Sequence, residues 1–304
     1  MSAAEIYQAS PIKRRRRTRA QVEQLDQQMV ALLRADHPQS IRHVFYRMTN
    51  PRLAEPVEKS DRGYQQVQAR LVKLRRSGAV PYEWISDMSR RGYFVRTFSG
   101  AGDFISRMHG IYRADLWERA EVRVEVWCES RSIASVIQAD CSELAVSLYP
   151  CGGFSSISFA HEAAQELNDT VTTYTDDTRD PVVIFYIGDY DPAGVLIDIA
   201  LENELRRHLD PAIQFSFVRL GITEEQIRQY DLPEKPRKAT DKRALHVERT
   251  VEAEAMPAHI LRQILRDAIE AYLPADALRV AKAAEESEKA HLARVAAILN
   301  GGAA

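Results

Sequence analysis

The sequence predicts an α/β protein with a basic, helical front part, a parallel sheet covered by helices on both faces, and two helices at its C-terminus. Three observations carry this reading. Residues 122–220 alternate short apolar runs with amphipathic stretches, the rhythm of βαβ units, which pair in parallel and place helices on both sides of the sheet. Residues 18–77 hold three helical patterns and no strand. The charge also divides: residues 1–120 carry 22 Lys and Arg against 12 Asp and Glu, a net +10, and the remainder 19 against 31, a net −12. A basic half joined to an acidic half points to a part that binds a polyanion and a part with another purpose, and nucleic acid is the expected polyanion.

The front half is read from residue 1. Residues 1–17 lack periodicity and close on Lys13-Arg14-Arg15-Arg16-Arg17. This is expected to be a disordered arm whose arginines neutralise backbone phosphates. From Thr18, a capping residue, Val22, Leu25, Met29, Leu32 and Leu33 recur at helical spacing. Ser40 opens a short helix over residues 41–48, closed by Asn50-Pro51. Within it, Arg42 and Tyr46 stand four residues apart and share a face, so the hydroxyl of Tyr46 lies beside a cation. A phenol so placed can ionise and attack a phosphodiester; the plainer alternative is a half-buried tyrosine whose hydroxyl meets a neighbouring arginine. A third helix over residues 61–77 buries Val67, Leu71 and Leu74 and carries Arg70, Lys73 and Arg76 on other faces. Residues 80–85 and 93–96 read as two short strands around Arg90 and Arg91. Three helices and a basic ribbon outline a winged helix, with the third helix directed to the major groove and the ribbon tip to the backbone. A connecting helix is expected over residues 99–119, with the domain boundary near 120.

The second half begins with a strand at residues 122–128, ending at Glu129. A helix from Ser132, a strand over 144–149, a Gly152-Gly153-Phe154-Ser155-Ser156 segment that is either a plain flexible turn or one that presents N–H groups to phosphate, and a helix from Ile157 follow. The run at residues 182–187 is apolar throughout, as a strand buried on both faces must be. It stops at Gly188-Asp189-Tyr190-Asp191-Pro192-Ala193-Gly194. Extended backbone repeats every two residues, so Asp189 and Asp191 can face one side, and Pro192 suits the first turn of a following helix. A strand over 213–220 completes the alternation. Two helices are expected near 257–272 and 274–298, the first packing through Leu261, Ile264, Leu265, Ala268 and Ile269. Asp-x-Asp pairs are often turn and cap residues. With Glu129, however, three carboxylates stand at carboxyl ends of strands in one sheet, and a hard cation such as Mg2+ relieves their repulsion.

Glu129 and, some sixty residues on, Gly188-Asp189-Tyr190-Asp191-Pro192-Ala193-Gly194 resemble the Toprim domain. Winged helix first and Toprim second is similar to the A subunit of topoisomerase VI and the meiotic double-strand-break transesterase. Arg42-His43-Val44-Phe45-Tyr46 is similar to that family's tyrosine motif, and Glu252-Ala253-Glu254-Ala255-Met256-Pro257 to a stretch of its C-terminal part. The resemblance spans about residues 18–275. It implies a winged-helix (CAP-like) domain at 18–120 and a Toprim domain with C-terminal helices at 121–304. It further implies Mg2+ on Glu129, Asp189 and Asp191, Tyr46 as nucleophile assisted by Arg42, and a homodimer in which the tyrosine of one subunit works with the metal site of the other. The family's Glu is followed by Lys where this chain has Ser130-Arg131, so Arg131 would substitute for that cation and hold a non-bridging oxygen. The implied reaction is a double-strand break through a 5′-phosphotyrosyl link, with double-stranded DNA as partner. A metal-dependent nuclease using water and a non-catalytic DNA-binding protein are the rival readings.

No run of about 18 apolar residues occurs, which excludes a membrane-spanning helix. Three cysteines, Cys128, Cys141 and Cys151, without metal-ligand spacing, and no secretory signal, point to a reducing, cytoplasmic, nucleoid-associated setting. No ATP-binding motif is present, so an ATP-driven cycle would need a separate ATPase subunit.

Overall fold

The computed structural model describes residues 17–86, 95, 97–108, 111–120, 122–152, 157–170, 181–237, 244 and 246–301 of the 304-residue chain. Arg14, Arg15, Arg16, Arg90, Arg91 and residues 153–156 lie outside the described residues.

The three front helices form as their caps direct. Helix α1, Arg19–Ala35, starts at a capping box in which the Thr18 hydroxyl accepts the Gln21 N–H and the Gln21 side chain accepts the Thr18 N–H. Helix α2, Ile41–Met48, starts where Ser40 Oγ accepts the His43 N–H, and α3, Asp61–Arg76, starts where Ser60 Oγ accepts the Gly63 N–H. Gly78, at φ +76°, takes the left-handed conformation that stops α3. Leu25, Met29 and Leu33 of α1 pack with Val44, Phe45, Val67 and Leu71.

Two expected front elements are corrected. In place of the first wing strand, Tyr82–Trp84 make a single 3-10 turn, and Ile85 forms one isolated bridge to Gln39. Pro81 fixes φ and offers no N–H to a ladder. Trp84 stacks on His37 with ring centroids 4.6 Å apart, which draws the segment across the α1–α2 corner. The second wing strand falls mostly outside the described residues. The connecting helix is shorter than expected. Helix α4 covers Ala101–Met108, and residues 111–120 run mostly irregularly, pinned by Arg113 to Glu285 at 3.1 Å and by Trp117 Nε1 to the Leu144 carbonyl at 2.8 Å.

Behind them stands a four-stranded, all-parallel sheet in the order β2-β1-β3-β4, built from β1 Arg123–Cys128, β2 Ser147–Pro150, β3 Val182–Ile187 and β4 Phe215–Gly221. Helices α5 Arg131–Glu143, α6 Ile157–Thr170 and α7 Gly194–His208 make the crossovers. Strand β2 starts later than expected because Leu144 caps α5 and Ala145 takes φ +53°. Strand periodicity sorts the two faces. Ile184, Tyr186 and Trp127 pack against Ala164, Leu167, Ile197 and Leu205 of α6 and α7. Val183, Phe185, Ile187 and Val126 pack against Ile133 and Ile137 of α5. All six residues of β3 are buried, as its unbroken apolar run requires.

The α5 side is completed by α9, Ala258–Glu270, through Leu261, Leu265 and Ile269, and this core continues without a break into the front helices. The boundary placed near residue 120 is therefore not a gap in packing. Helix α8 covers Glu224–Gln229, and a two-stranded antiparallel ribbon pairs β5, Lys235–Pro236, with β6, Arg249–Thr250. Helix α10, Ala277–Leu299, packs on α4 and buries only Glu285 and Ala296.

A buried ionic clamp ties α9 to the front half. Asp36, 7% exposed, accepts from Arg262 at 2.6 Å and from His259 Nδ1 at 3.1 Å, with Arg47 at 3.6 Å. Burial opposes ionisation of Asp36, but the His259 hydrogen bonds and the Arg262 charge together hold its carboxyl below the usual range. Removing one partner leaves a buried charge short of compensation. Arg262→Ala is expected to cost about 3 kcal/mol in urea unfolding. A loss below about 1 kcal/mol would show that the clamp does not bind the two halves.

Candidate functional site

The chain leaves β1 through α5 to reach β2 on one side and returns through α6 to β3 on the other. The direction of travel across the sheet reverses between β1 and β3, and ligands bind in the crevice outside the carboxyl ends of strands at such a point. Glu129 follows β1 there, and Gly188 and Asp189 follow β3. The two ends are zipped together: the Glu129 N–H donates to the Ile187 carbonyl at 2.8 Å, and the Asp189 N–H donates to Glu129 Oε2 at 3.0 Å. Side chains are barred at two glycines. A Cβ on Gly188 would lie 2.7 Å from the Tyr186 ring, and one on Gly194 would lie 2.1 Å from the Asp189 carbonyl oxygen.

Arg219 of β4 holds this loop from behind. Its guanidinium donates to the carbonyls of Gly188, Asp189, Gly194 and Ile222 and to Asp198 at 2.6 Å. Nothing in the local sequence of β4 marks Arg219 for this role.

The segment after β6 lies along the other side of the loop. Tyr190 and Val251 exchange backbone hydrogen bonds at 2.8 Å, and the Ala253 N–H donates to Asp189 Oδ1 at 2.8 Å. This brings in Glu252 and Glu254, two carboxylates that were noticed in the sequence only as part of a resemblance. Glu254, 3% exposed, accepts from Ser130 Oγ at 3.3 Å, at the start of α5. Glu252 faces α2. It pairs with Arg42 at 3.1 Å and Lys235 at 2.7 Å, and it adjoins the hydroxyl of Tyr46.

Tyr46 is therefore buried at its ring, with 4% of the residue exposed, and polar at its tip. Phe45 packs edge-on at 5.3 Å, and the ammonium groups of Lys59 and Lys235 lie 5.6 and 5.5 Å from the ring centroid. Burial, then the charge and hydrogen bond of Glu252, push the phenol pKa well up, with Arg42 working against them. The hydroxyl expected to meet an arginine meets a carboxylate that the arginine also holds. Within one chain, the segment 252–254 thus lies between the phenol and the acid loop. Neighbouring His43 is fully buried and pushed down to about 3 by desolvation, so it is neutral.

The acids carry uncompensated charge. Burial raises Glu129, and the charges of Asp191 and Glu254 add to this. Asp189 is pushed up to about 8 by burial, then by Glu129 and Glu254. Burial also raises Glu254. Glu252 is the exception: burial opposes it, but Lys235, the Tyr46 hydroxyl and Arg42 hold it low.

Among the described residues no three His, Cys, Asp or Glu side chains gather closely enough to cage an ion. Glu129, Asp189 and Asp191 are thus not assembled as a three-carboxylate cage. Asp191 Oδ1 accepts the Ala193 and Gly194 N–H groups at 2.8 and 2.6 Å, which is the turn-and-cap role ahead of α7. Mg2+, however, is commonly held by one or two carboxylates with waters and substrate phosphates completing the shell. Glu129 and Asp189, joined through the Asp189 N–H, fit such an open site. The Tyr186 hydroxyl is buried beside Glu129 and has no hydrogen-bond partner among the described residues.

This electrostatic arrangement has a measurable consequence without metal. Asp189 ionises at about 8 when folded and near 3.8 in a model peptide, so between those values the folded state holds more protons. Stability therefore falls as pH rises through that window and levels off above it. In EDTA, the melting temperature is expected to be several degrees lower at pH 8.5 than at pH 5.5, and Asp189→Asn should remove most of the difference. Mg2+ should restore the wild type at pH 8.5 and leave the variant unmoved. A pH-independent difference between wild type and variant would contradict this.

The basic residues divide. Arg17 is engaged by Glu55 at 3.0 Å, Gln66 at 2.8 Å and the Pro56 carbonyl, and Arg70 makes a two-pronged pair with Asp26. These two serve the fold rather than standing free for phosphate. Lys73 and Arg76 are exposed on α3. Arg131, exposed in the first turn of α5, opens with Arg42 and Arg75 onto a cleft of about 460 Å3 lined also by Ser40, Ser132 and Glu254.

Comparison with protein-family models, with curated proteins and with solved structures finds no match to this chain.

Proposed function

We propose that this chain is a divalent-cation-dependent DNA-cleaving protein of the topoisomerase VI A-subunit type, in which Tyr46 is the nucleophile. One observation carries the reading: the segment 252–254 touches the Tyr46 hydroxyl through Glu252 and Asp189 through the Ala253 N–H, so the phenol and the acid loop share one site. Tyr46 Oη would bond to a DNA phosphorus as the P–O3′ bond breaks, giving a 5′-phosphotyrosyl link and a free 3′-hydroxyl. The phenol proton passes to solvent, which returns one to the leaving O3′. Arg42 favours the phenolate, and Arg131 is free to hold a non-bridging oxygen. An ion on Glu129 and Asp189 would supply charge neutralisation at the phosphate. Exposed Lys73 and Arg76 are the DNA contacts that the front half still offers. Two copies of the chain would cut both strands.

A second reading, a nuclease using metal-activated water, draws support from the 4% exposure of Tyr46 and its raised pKa. Nicking of supercoiled DNA in Mg2+ separates the two. Under the first reading Tyr46→Phe stops nicking, and under the second nicking continues. No cleavage by the wild type with Mg2+ at any ratio of protein to DNA would remove both.

A further inference from the structure

The neighbours of Glu252 are those of a phosphate group. Its carboxylate takes a lysine ammonium on one oxygen at 2.7 Å and an arginine guanidinium on the other at 3.1 Å, and it adjoins the hydroxyl of Tyr46. Carboxylates and phosphates are recognised by the same charge-assisted donors. A third cation, Lys59, is fixed nearby, with its ammonium donating to the carbonyls of Pro233 and Glu234 at 2.9 and 3.0 Å. These cations come from three separate parts of the chain: α2, the turn before α3, and β5. A tyrosine that merely fills a core needs none of them. Their surroundings include Glu254, whose charge acts on Arg42, and Glu234, which is itself paired with Arg249 at 2.9 Å. Lys59 and Lys235 repel each other beside the ring of Tyr46, and among the described residues Glu252 is the anion that pairs directly with both Lys235 and Arg42. Moving Glu252 aside would leave Arg42 and Lys235 without an ion-pair partner among the described residues.

Resting on the DNA-cleaving reading above, we propose that Arg42, Lys59 and Lys235 form the seat of the DNA phosphodiester that is cut, and that Glu252 occupies this seat until the strand displaces it and uncovers Tyr46. The low exposure of Tyr46 is then a property of the resting protein. Glu252 acts as a competitor that a phosphodiester must outbid, which keeps the phenol covered when no DNA is bound.

The test measures binding of the full chain to a fluorescein-labelled 20-base-pair duplex by anisotropy in EDTA, where no cleavage is read. Glu252→Gln removes the competing charge and is expected to tighten binding about tenfold. Glu224→Gln removes the same unit charge from an exposed residue paired with Arg228, and should change it less than twofold. Lys235→Gln should weaken binding severalfold and lower the salt dependence by about one ion. A melting curve for each variant confirms that it is folded. Equal effects of Glu252→Gln and Glu224→Gln, or weaker binding by Glu252→Gln, would overturn the proposal. So would a gain in affinity for inorganic phosphate alone, which would mark a small-anion site. Because the readout is binding without metal, failure here leaves the cleavage assay to be judged on its own.

Discussion

Asp189→Ala is expected to lower Mg2+-dependent cleavage of duplex DNA by about 10^3-fold or more, while duplex binding in EDTA stays within about twofold. Two separate losses produce the drop. The variant lacks one of the two carboxylates suited to an open Mg2+ site, so the charge developing on the phosphate is no longer answered at that position. It also frees the Ala253 N–H that Asp189 Oδ1 accepts, and this bond fixes where Glu252 and Glu254 stand. Asp189→Asn separates the two, because the amide oxygen can still accept from Ala253 whereas the charge is gone. If Asp189→Asn cleaves as well as the wild type, the carboxylate has no part in the chemistry. If Asp189→Asn is as inactive as Asp189→Ala, charge rather than position is what the site needs.

Arg219→Met is expected to cost about 3 kcal/mol of stability and to abolish the Mg2+-dependent rise in melting temperature, even at temperatures where the variant remains folded. The guanidinium, with a side chain 17% exposed, serves four carbonyls and one carboxylate, and methionine serves none of them. The carbonyls of Gly188 and Asp189 belong to the loop that presents the acid, so their release loosens the Asp189 carboxylate as well as the fold. A purely structural arginine would lower the melting temperature and leave the Mg2+ increment intact. That outcome would separate Arg219 from the site.

The second half of the chain was more legible than the first, for reasons visible in particular residues. The six apolar residues of β3 have nowhere to go but the centre of a two-faced sheet, and the strand was placed to the residue. The caps Thr18 and Ser40 place two helix starts, because a hydroxyl that accepts the N–H three residues on fixes the first turn. The first wing strand and the full length of the connecting helix failed where local propensity was overruled. Pro81 and the Trp84–His37 stack bend one segment into a turn, and Arg113 and Trp117 are drawn out of helix by partners 172 and 27 residues away. At the site, Glu129 and Asp189 were legible because strand ends in parallel sheets sit on one rim. Asp191 shows the limit of that rule, since a carboxylate two residues on can serve its own helix instead. Lys59, Lys235 and Arg219 were not legible at all. They reach the site across the fold, and nothing in their local sequence marks them. Arg17 and Arg70 failed the other way: composition counted them as basic surface, while Glu55 and Asp26 had already taken them.

The most direct test mixes end-labelled duplex DNA with the protein and Mg2+, denatures the reaction, and looks for DNA that migrates with the polypeptide. Wild type is predicted to give a protease-sensitive covalent species, Tyr46→Phe none, and Asp189→Ala at most a trace. A covalent species of wild-type yield from Tyr46→Phe, or broken strands from the wild type with no protein attached, would contradict a site in which this phenol and these acids act together.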